Sequence, residues 1–242
     1  MLPPRITTRC DYFVVHTQTA TRNVAKVQIV RQDYCDETWA KLAFEAIQKW
    51  STPEWAPYFA QSGVLVLAHE THQHASAYVR RAFDVNSDPC MAADGRLAVS
   101  LPSPREIRAV FGNETLPLGK FDNEVAYINP QSGWAHARRA MDMLCEKVRA
   151  AGVKVKGGEC DHLVHGQKNG QNDVTGVKLL DGRVLSADKI IVAAGAWSAK
   201  FVPEIGKELL ASGQCVAHIQ LTEEEAARYA NVPVVFRMDT GL

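Results

Sequence analysis

The sequence predicts a mixed α/β (α+β) fold, and three observations carry that expectation. A helical period opens after Asp36, two almost continuous apolar runs lie at Gly63 to Ala68 and Ile190 to Ala194, and closely spaced turn signals between them mark a small β-meander. The elements do not alternate regularly, so a simple doubly wound sheet is not expected.

The first helix rests on Trp39, Leu42, Ala43, Ala46, Ile47 and Trp50, which recur at three- and four-residue spacing and define one apolar face, with Asp36 as N-cap. Gly63 to Ala68 follows a loop containing Pro53 and Pro57 and reads as a buried strand. Ser103-Pro104-Arg105-Glu106 combines an N-cap, a first-turn proline and a returning glutamate, opening a short helix through Phe111. A second amphipathic helix is expected from Gly133 to Ala151, with Trp134, Ala137, Met141, Leu144 and Val148 on one side and Gly152 as its stop. A strand at Val153 to Val155 should follow. Gln171-Asn172-Asp173 and Asp181-Gly182 read as turns bracketing Val174 to Leu180. Ile190 to Ala194, apolar throughout, is expected as a strand covered on both faces and sharing a sheet with Val153 to Val155. Beyond it, Gln214 to Leu221 alternates as a strand, Thr222-Glu223-Glu224-Glu225 caps a short helix, and Val232 to Met238 is a further strand.

Composition narrows the function. Lys+Arg and Asp+Glu are both 27, so no net field draws the chain to nucleic acid or to an anionic membrane, and small molecules are the expected partners. Hydrophobic residues make up 46% and charged ones 22%, which suits a globular protein, neither disordered nor membrane-spanning. Met1 to Ala20 has neither the apolar stretch of a signal peptide nor that of a transmembrane helix. Six scattered cysteines without a C-x-x-C pair read as reduced thiols.

Two segments could carry chemistry. Ile191-Val192-Ala193-Ala194-Gly195-Ala196-Trp197-Ser198 is an apolar run broken by a small-residue turn; glycine lets backbone N–H groups approach a ligand, and a helix beyond would aim its positive end at a pyrophosphate. The same turn could equally serve packing alone. His69-Glu70-Thr71-His72-Gln73-His74 places three imidazoles close together, but it is not the H-E-x-x-H zinc pattern and reads as a polar loop. His136 reads as a positioning or capping residue and Cys145 as core.

The order and spacing of these anchors resemble the fructosyl amino acid oxidases, which stand with sarcosine, pipecolate and saccharopine oxidases among the D-amino-acid-oxidase-like flavoproteins. The resemblance lies in the start Gly133-Trp134-Ala135-His136-Ala137-Arg138, the run Gly152-Val153-Lys154-Val155, the meander and the turn Val192 to Ser198. It extends to Val24 through Tyr34, to Leu42 to Ile47, and to the tail from His218 to Phe236. It implies FAD as cofactor and a FAD-binding domain of mixed sheet and helices interleaved with a β-rich substrate domain. Residues 1–57 and 131–204 would belong to the former, 58–130 and 205–242 to the latter. It implies a backbone contact from Val155 to adenine, places Ala194, Gly195 and Trp197 on the phosphate and flavin side, and sets Lys26 near the flavin ring as the catalytic candidate.

The resemblance implies oxidation of a secondary amine at its CH–NH group with release of hydrogen peroxide, in the cytoplasm or a peroxisome. Two departures stand beside it. The family usually reads Asn-Asp-Val-Asn-Lys where this chain has Arg22-Asn23-Val24-Ala25-Lys26, and no G-x-G-x-x-G occurs. The chain also ends ahead of the family's substrate-binding arginine and glutamate, its oxygen-activating lysine and its flavin-linking cysteine. The rival expectation is therefore a truncated product that alone neither holds FAD firmly nor oxidises amines.

Overall fold

The structure, a computed structural model, describes residues 27–92, 94–168, 171–213 and 216–240. The described chain divides into two compact units, one of residues 27–141 with 218–240 and one of residues 142–217.

The first unit is built on strand β3, Val64–His69, in a four-stranded sheet ordered β10-β3-β5-β4. Its neighbours are β10 (Val234–Arg237), parallel, and β5 (Glu124–Asn129), antiparallel; β5 in turn pairs with β4 (Val99–Ser100). The apolar run is continuous because both faces of β3 are covered. Val64, Val66 and Ala68 meet Val79, Ala82 and Tyr127, while Leu65 and Leu67 meet Leu101, Ile107, Phe111 and Leu116. Burying each large member of such a run stabilises the fold by about 1.5–3 kcal/mol.

Helix α1, Glu37–Trp50, starts at Asp36, whose carboxylate accepts from the Trp39 N–H at 3.1 Å. Its buried face differs from the expected one. Ala40 and Ile47 are buried, with Ala43, Phe44 and Trp50 partly covered, while Trp39 (61% exposed), Leu42 (56%) and Ala46 face outward. Two apolar stripes compete on this helix, and the packing uses the one advanced by a single residue. Helix α2, Gln73–Asn86, was not visible in the periodicity: its buried positions are Ser76, Val79, Ala82 and Asn86, half of them polar. The loop expected at His69 to His74 is correspondingly short, since His69 ends β3 and Gln73 begins α2. Helix α3, Pro104–Ala109, has the expected cap, with Ser103 Oγ accepting from the Glu106 N–H at 3.3 Å and donating to its carboxylate at 2.6 Å.

Gly133 to Ala135 is not helical. These residues form β6, the centre of a three-stranded antiparallel sheet between β1 (Gln28–Val30) and β2 (Phe59–Ala60). Glycine is a poor helix former, and here a Cβ would stand 2.1 Å from the Ala60 carbonyl oxygen, so the strand approaches its neighbour only because residue 133 has no side chain. Helix α4, Ala137–Ala150, then begins, with the His136 carbonyl accepting from the Ala140 N–H at 2.9 Å, and it stops at Gly152, φ +87°.

The second unit holds the meander, β7 (Cys160–Lys168), β8 (Gln171–Leu179) and β9 (Val184–Ser186), around Cys160, Val177 and Leu179. The Asp181-Gly182 turn forms as expected, but Gln171 and Asn172 pair with Lys168 and Gln167, so the first reversal lies ahead of the expected turn. Val153 to Val155 and Ile190 to Ala194 are not strands, and Ile191 is 77% exposed. A strand apolar on both sides needs a hydrogen-bonded neighbour and cover, and no ladder among the described residues includes either segment. Val216 to Leu221 is also irregular; Gln214 and Cys215 lie outside the described residues. Beyond it, the first unit resumes with α5, Glu223–Tyr229, which carries the full Thr222–Glu225 capping box, and with β10.

Gly133→Ala should lower the unfolding free energy by about 1–3 kcal/mol, because the methyl group meets backbone and not a yielding side chain. Gly119→Ala, with nothing within 4 Å of its added carbon, serves as control. Urea denaturation of both variants checks this, and equal midpoints would remove the packing argument.

Candidate functional site

Of the residues singled out in the sequence, Lys26 lies outside the described residues. The other four belong to the second unit. Val155 is half-buried in an irregular segment. Ala194 precedes a short 3-10 turn, Gly195–Trp197, which runs into a single helical turn, Ser198–Phe201. Gly195 has φ +54° with nothing within 4 Å of where a Cβ would stand, and Trp197 is 54% exposed. A left-handed glycine with open space above it suits a backbone that approaches a ligand. Among the described residues no paired strand flanks this turn.

The first unit contains a polar core that sequence reasoning did not single out. Asp33 is fully buried; its carboxylate accepts from Ser132 Oγ at 2.8 Å and from Asn129 Nδ2 at 3.0 Å. Its backbone carbonyl accepts from Arg31 Nη1 at 2.6 Å and from the Tyr78 hydroxyl at 3.2 Å. The Arg31 guanidinium lies over the rings of Tyr34 and Phe236, each centroid 4.4 Å away. Gln32 and Gln131 both donate to the Met91 carbonyl, at 3.0 and 2.7 Å. Burial pushes the Asp33 carboxyl above the usual carboxylate range, against the opposing pull of the Ser132 and Asn129 hydrogen bonds. The Tyr127 hydroxyl, raised by burial and by the Asp33 charge, faces this group without meeting hydrogen-bond geometry. The only sequence signal was the polar quartet Asn129 to Ser132 with Pro130, legible as a turn but not as a partner for a residue a hundred positions earlier.

At the opposite end of β3 and β10, Arg237 pairs with Glu124 at 2.6 Å and with Asp239 at 3.0 Å. Both acids are 5% exposed and the arginine 33%. The His69 N–H donates to Asp239 Oδ2 at 3.0 Å. Burial pushes Asp239 upward, but this hydrogen bond and the Arg237 charge outweigh it and hold the carboxyl below its usual range. One guanidinium thus serves two nearly buried carboxylates, and Glu124 keeps a buried oxygen without a hydrogen-bond partner among the described residues. His69 turns its Nδ1 to Thr71 Oγ1 at 2.8 Å. No group of three or more His, Cys, Asp or Glu among the described residues is placed to hold a metal ion.

Comparison with known proteins settles the class. The profile of the FAD dependent oxidoreductase family, DAO, matches residues 13–241, and the chain belongs to that family, whose cofactor is FAD. An amino acid oxidase of Aspergillus fumigatus, fsqB, is 32% identical over 230 residues, covering 88% of this chain and 45% of the relative. L-saccharopine oxidase of Schizosaccharomyces pombe is 30% identical over 240 residues, covering 93% of this chain and 52% of the relative. Fructosyl peptide oxidase from E. terrenum superposes with a TM-score of 0.70 at 25% identity, over 88% of this chain and 48% of that one. The chain spans about half the length of the curated relatives it matches. The mixed architecture is that of these oxidases, and no described helix is long and apolar enough to cross a membrane.

Arg237→Met should destabilise the first unit by about 2 kcal/mol at neutral pH, less than for a fully buried pair because the guanidinium is one-third exposed. Asp239 titrates below its unfolded value, so its contribution is present above the ordinary carboxylate range and is lost as pH falls through the depressed value. The difference between variant and parent in denaturant titrations should therefore shrink on acidification. A gap that widened instead would contradict the ion-pair reading.

Proposed function

We propose that this chain supplies structure to an FAD-dependent oxidoreductase acting on the CH–NH group of a small secondary amine. The substrate is of the fructosyl amino acid, saccharopine, pipecolate or sarcosine type, and hydrogen peroxide is the product of oxygen. The observation that carries the reading is the extent of the likeness: one family profile over residues 13–241 and one fold match over 88% of the chain. The carbon beside nitrogen gives up two electrons and a proton, the nitrogen gives up its own proton, oxygen takes both electrons and both protons to become hydrogen peroxide, and water opens the resulting imine. FAD, when bound, supplies the electron acceptor for that exchange.

The chain's own residues bind and orient. In this reading Gly195 lets the backbone approach the cofactor phosphates, Ala194 and Trp197 flank them, Val155 offers its backbone to adenine, and Lys26 stabilises negative charge beside the flavin ring. Residues 1–57 and 131–204 then serve the cofactor, and 58–130 and 205–242 the substrate. A peroxide producer of this kind fits the cytoplasm or a peroxisome.

A second reading has an observation of its own: this polypeptide by itself does not turn over. Ile190 to Ala194 and Val155 lie in irregular chain, and Ile191 is largely exposed, so the sheet that would hold a dinucleotide is unformed among the described residues. In that case FAD stabilises the protein little, since a ligand raises stability only through affinity for the folded state.

The two readings part in one experiment. Purified chain is titrated with FAD while flavin fluorescence and thermal midpoint are followed, and peroxide release is then assayed with fructosyl-valine, saccharopine, pipecolate and sarcosine. Saturable FAD binding with amine-dependent peroxide supports the oxidase. Peroxide absent with all four amines, despite a folded protein, supports the second reading.

A further inference from the structure

We propose that Asp33 is a buried proton latch: its carboxyl carries a proton while it ties the segment Arg31 to Tyr34 to the turn Asn129 to Ser132, and ionisation loosens that tie. The argument begins with what surrounds the group. Asp33 has no exposed surface, and Arg31, the cation whose charge bears on its carboxylate, forms no ion pair with it among the described residues. The nearest cation is engaged elsewhere: Arg31 donates to the Asp33 backbone carbonyl and lies over the rings of Tyr34 and Phe236. Tyr78 also reaches that carbonyl, and the remaining acidic neighbour, Tyr127, is a phenol whose hydroxyl is buried without a hydrogen-bond partner. Ser132 and Asn129 are the donors in hydrogen-bond geometry, Tyr127 and the Arg31 charge add to their pull, and burial outweighs them together, so an ion so placed is relieved most directly by taking up a proton.

The site has a place for that proton. Ser132 Oγ lies 2.8 Å from Asp33 Oδ2, and a hydroxyl can turn from donor to acceptor, which the Asn129 amide nitrogen cannot. With the proton on Oδ2, Asp33 donates to Ser132 Oγ while its Oδ1 still accepts from Asn129. When the proton leaves to solvent, Ser132 turns back to donate and the charge stays buried. The direction in which burial moves this carboxyl agrees.

The tie joins separate sheets. Asn129 ends β5 of the four-stranded sheet, Ser132 precedes β6 of the three-stranded sheet, and Asp33 follows β1, which pairs with β6. Because the folded-state value is raised, the stabilisation is complete below the unfolded carboxylate value and is lost as pH rises through the folded one. The latch therefore opens toward alkaline pH.

Hydrogen exchange read by mass spectrometry on the chain as it stands tests this, without cofactor or substrate and so independently of the oxidase reading. Peptides covering 28–34 and 129–135 are followed from about pH 4, the ordinary aspartate value, to about pH 9, corrected for intrinsic exchange. The expected result is a local opening constant that rises by up to roughly tenfold per pH unit between the unfolded carboxylate value and the raised folded one, levels off above the folded value, and is flat in Asp33→Asn. Infrared spectroscopy along the pH series should show one protonated-carboxyl band that persists above the ordinary carboxylate range and that Asp33→Asn removes. Should that variant fail to fold, Ser132→Ala provides the second test: losing the donor that favours the ionised form raises the folded value further, so the rise in opening should continue to higher pH before it levels off. An opening constant independent of pH in the parent, an unchanged slope in Asp33→Asn, an unmoved levelling-off in Ser132→Ala, or no acid band persisting above the ordinary carboxylate range would each overturn the latch.

Discussion

Strand β3 is the constraint on which the first unit depends. Its edges are paired on one side with β10, more than 160 residues away in sequence, and on the other with β5, and its faces are covered by separate hydrophobic clusters. Such a strand tolerates no polar substitution on either face and no loss of either neighbour, since each backbone N–H and C=O would otherwise be buried without a partner. Everything else in the unit is arranged as cover or as continuation. Helix α2 packs on the face of Val64 and Val66, the segment around Ile107 and Phe111 on the face of Leu65 and Leu67, and β5 passes its chain on to the second sheet.

Polar groups sit where that apolar slab ends. At one end, Asp33, Asn129 and Ser132 lock the exit from β5 to the segment that follows β1. At the other, Arg237 gathers Glu124 and Asp239 beside His69. The two clusters solve the same problem differently. Asp239 is compensated by a guanidinium and a backbone N–H and is held ionised, whereas Asp33 has only neutral donors and is pushed toward its protonated form. Placement of charge within the unit thus follows from which side chains the sheet ends bring within reach, not from the composition, which is electrically balanced.

The second unit is simpler in its energetics. Its core rests on the meander around Cys160, Val177 and Leu179, with Leu163, Leu185, Ile190 and Phe201 packed against it. The turn at Gly195 has a left-handed glycine and no flanking ladder among the described residues. A turn is a local feature, fixed by one residue's freedom at φ. A cradle is a long-range one that needs several strands in register. Family membership is therefore plain in the sequence.

The sequence by itself determined the features whose physics is local. Asp36, Ser103 and Thr222 announced their caps, Gly152 and Asp181-Gly182 their reversals, and the run from Val64 to Ala68 could only be a strand buried on both sides. The motif order was enough to name the family. Tertiary structure decided what distant neighbours decide. It drew Gly133 to Ala135 out of a helical period into β6 because β1 and β2 offered backbone partners and glycine allowed the approach. It turned α1 so that Ala40 and Ile47, not Trp39 and Leu42, faced inward, and it hid α2 from view because Ser76 and Asn86 lie on its buried side. It left Ile190 to Ala194 unpaired although the residues read as strand. The polar core was illegible for the same reason: Asp33 and Ser132 are ordinary loop residues until a hundred residues of chain fold back and place a hydroxyl 2.8 Å from a fully buried carboxylate.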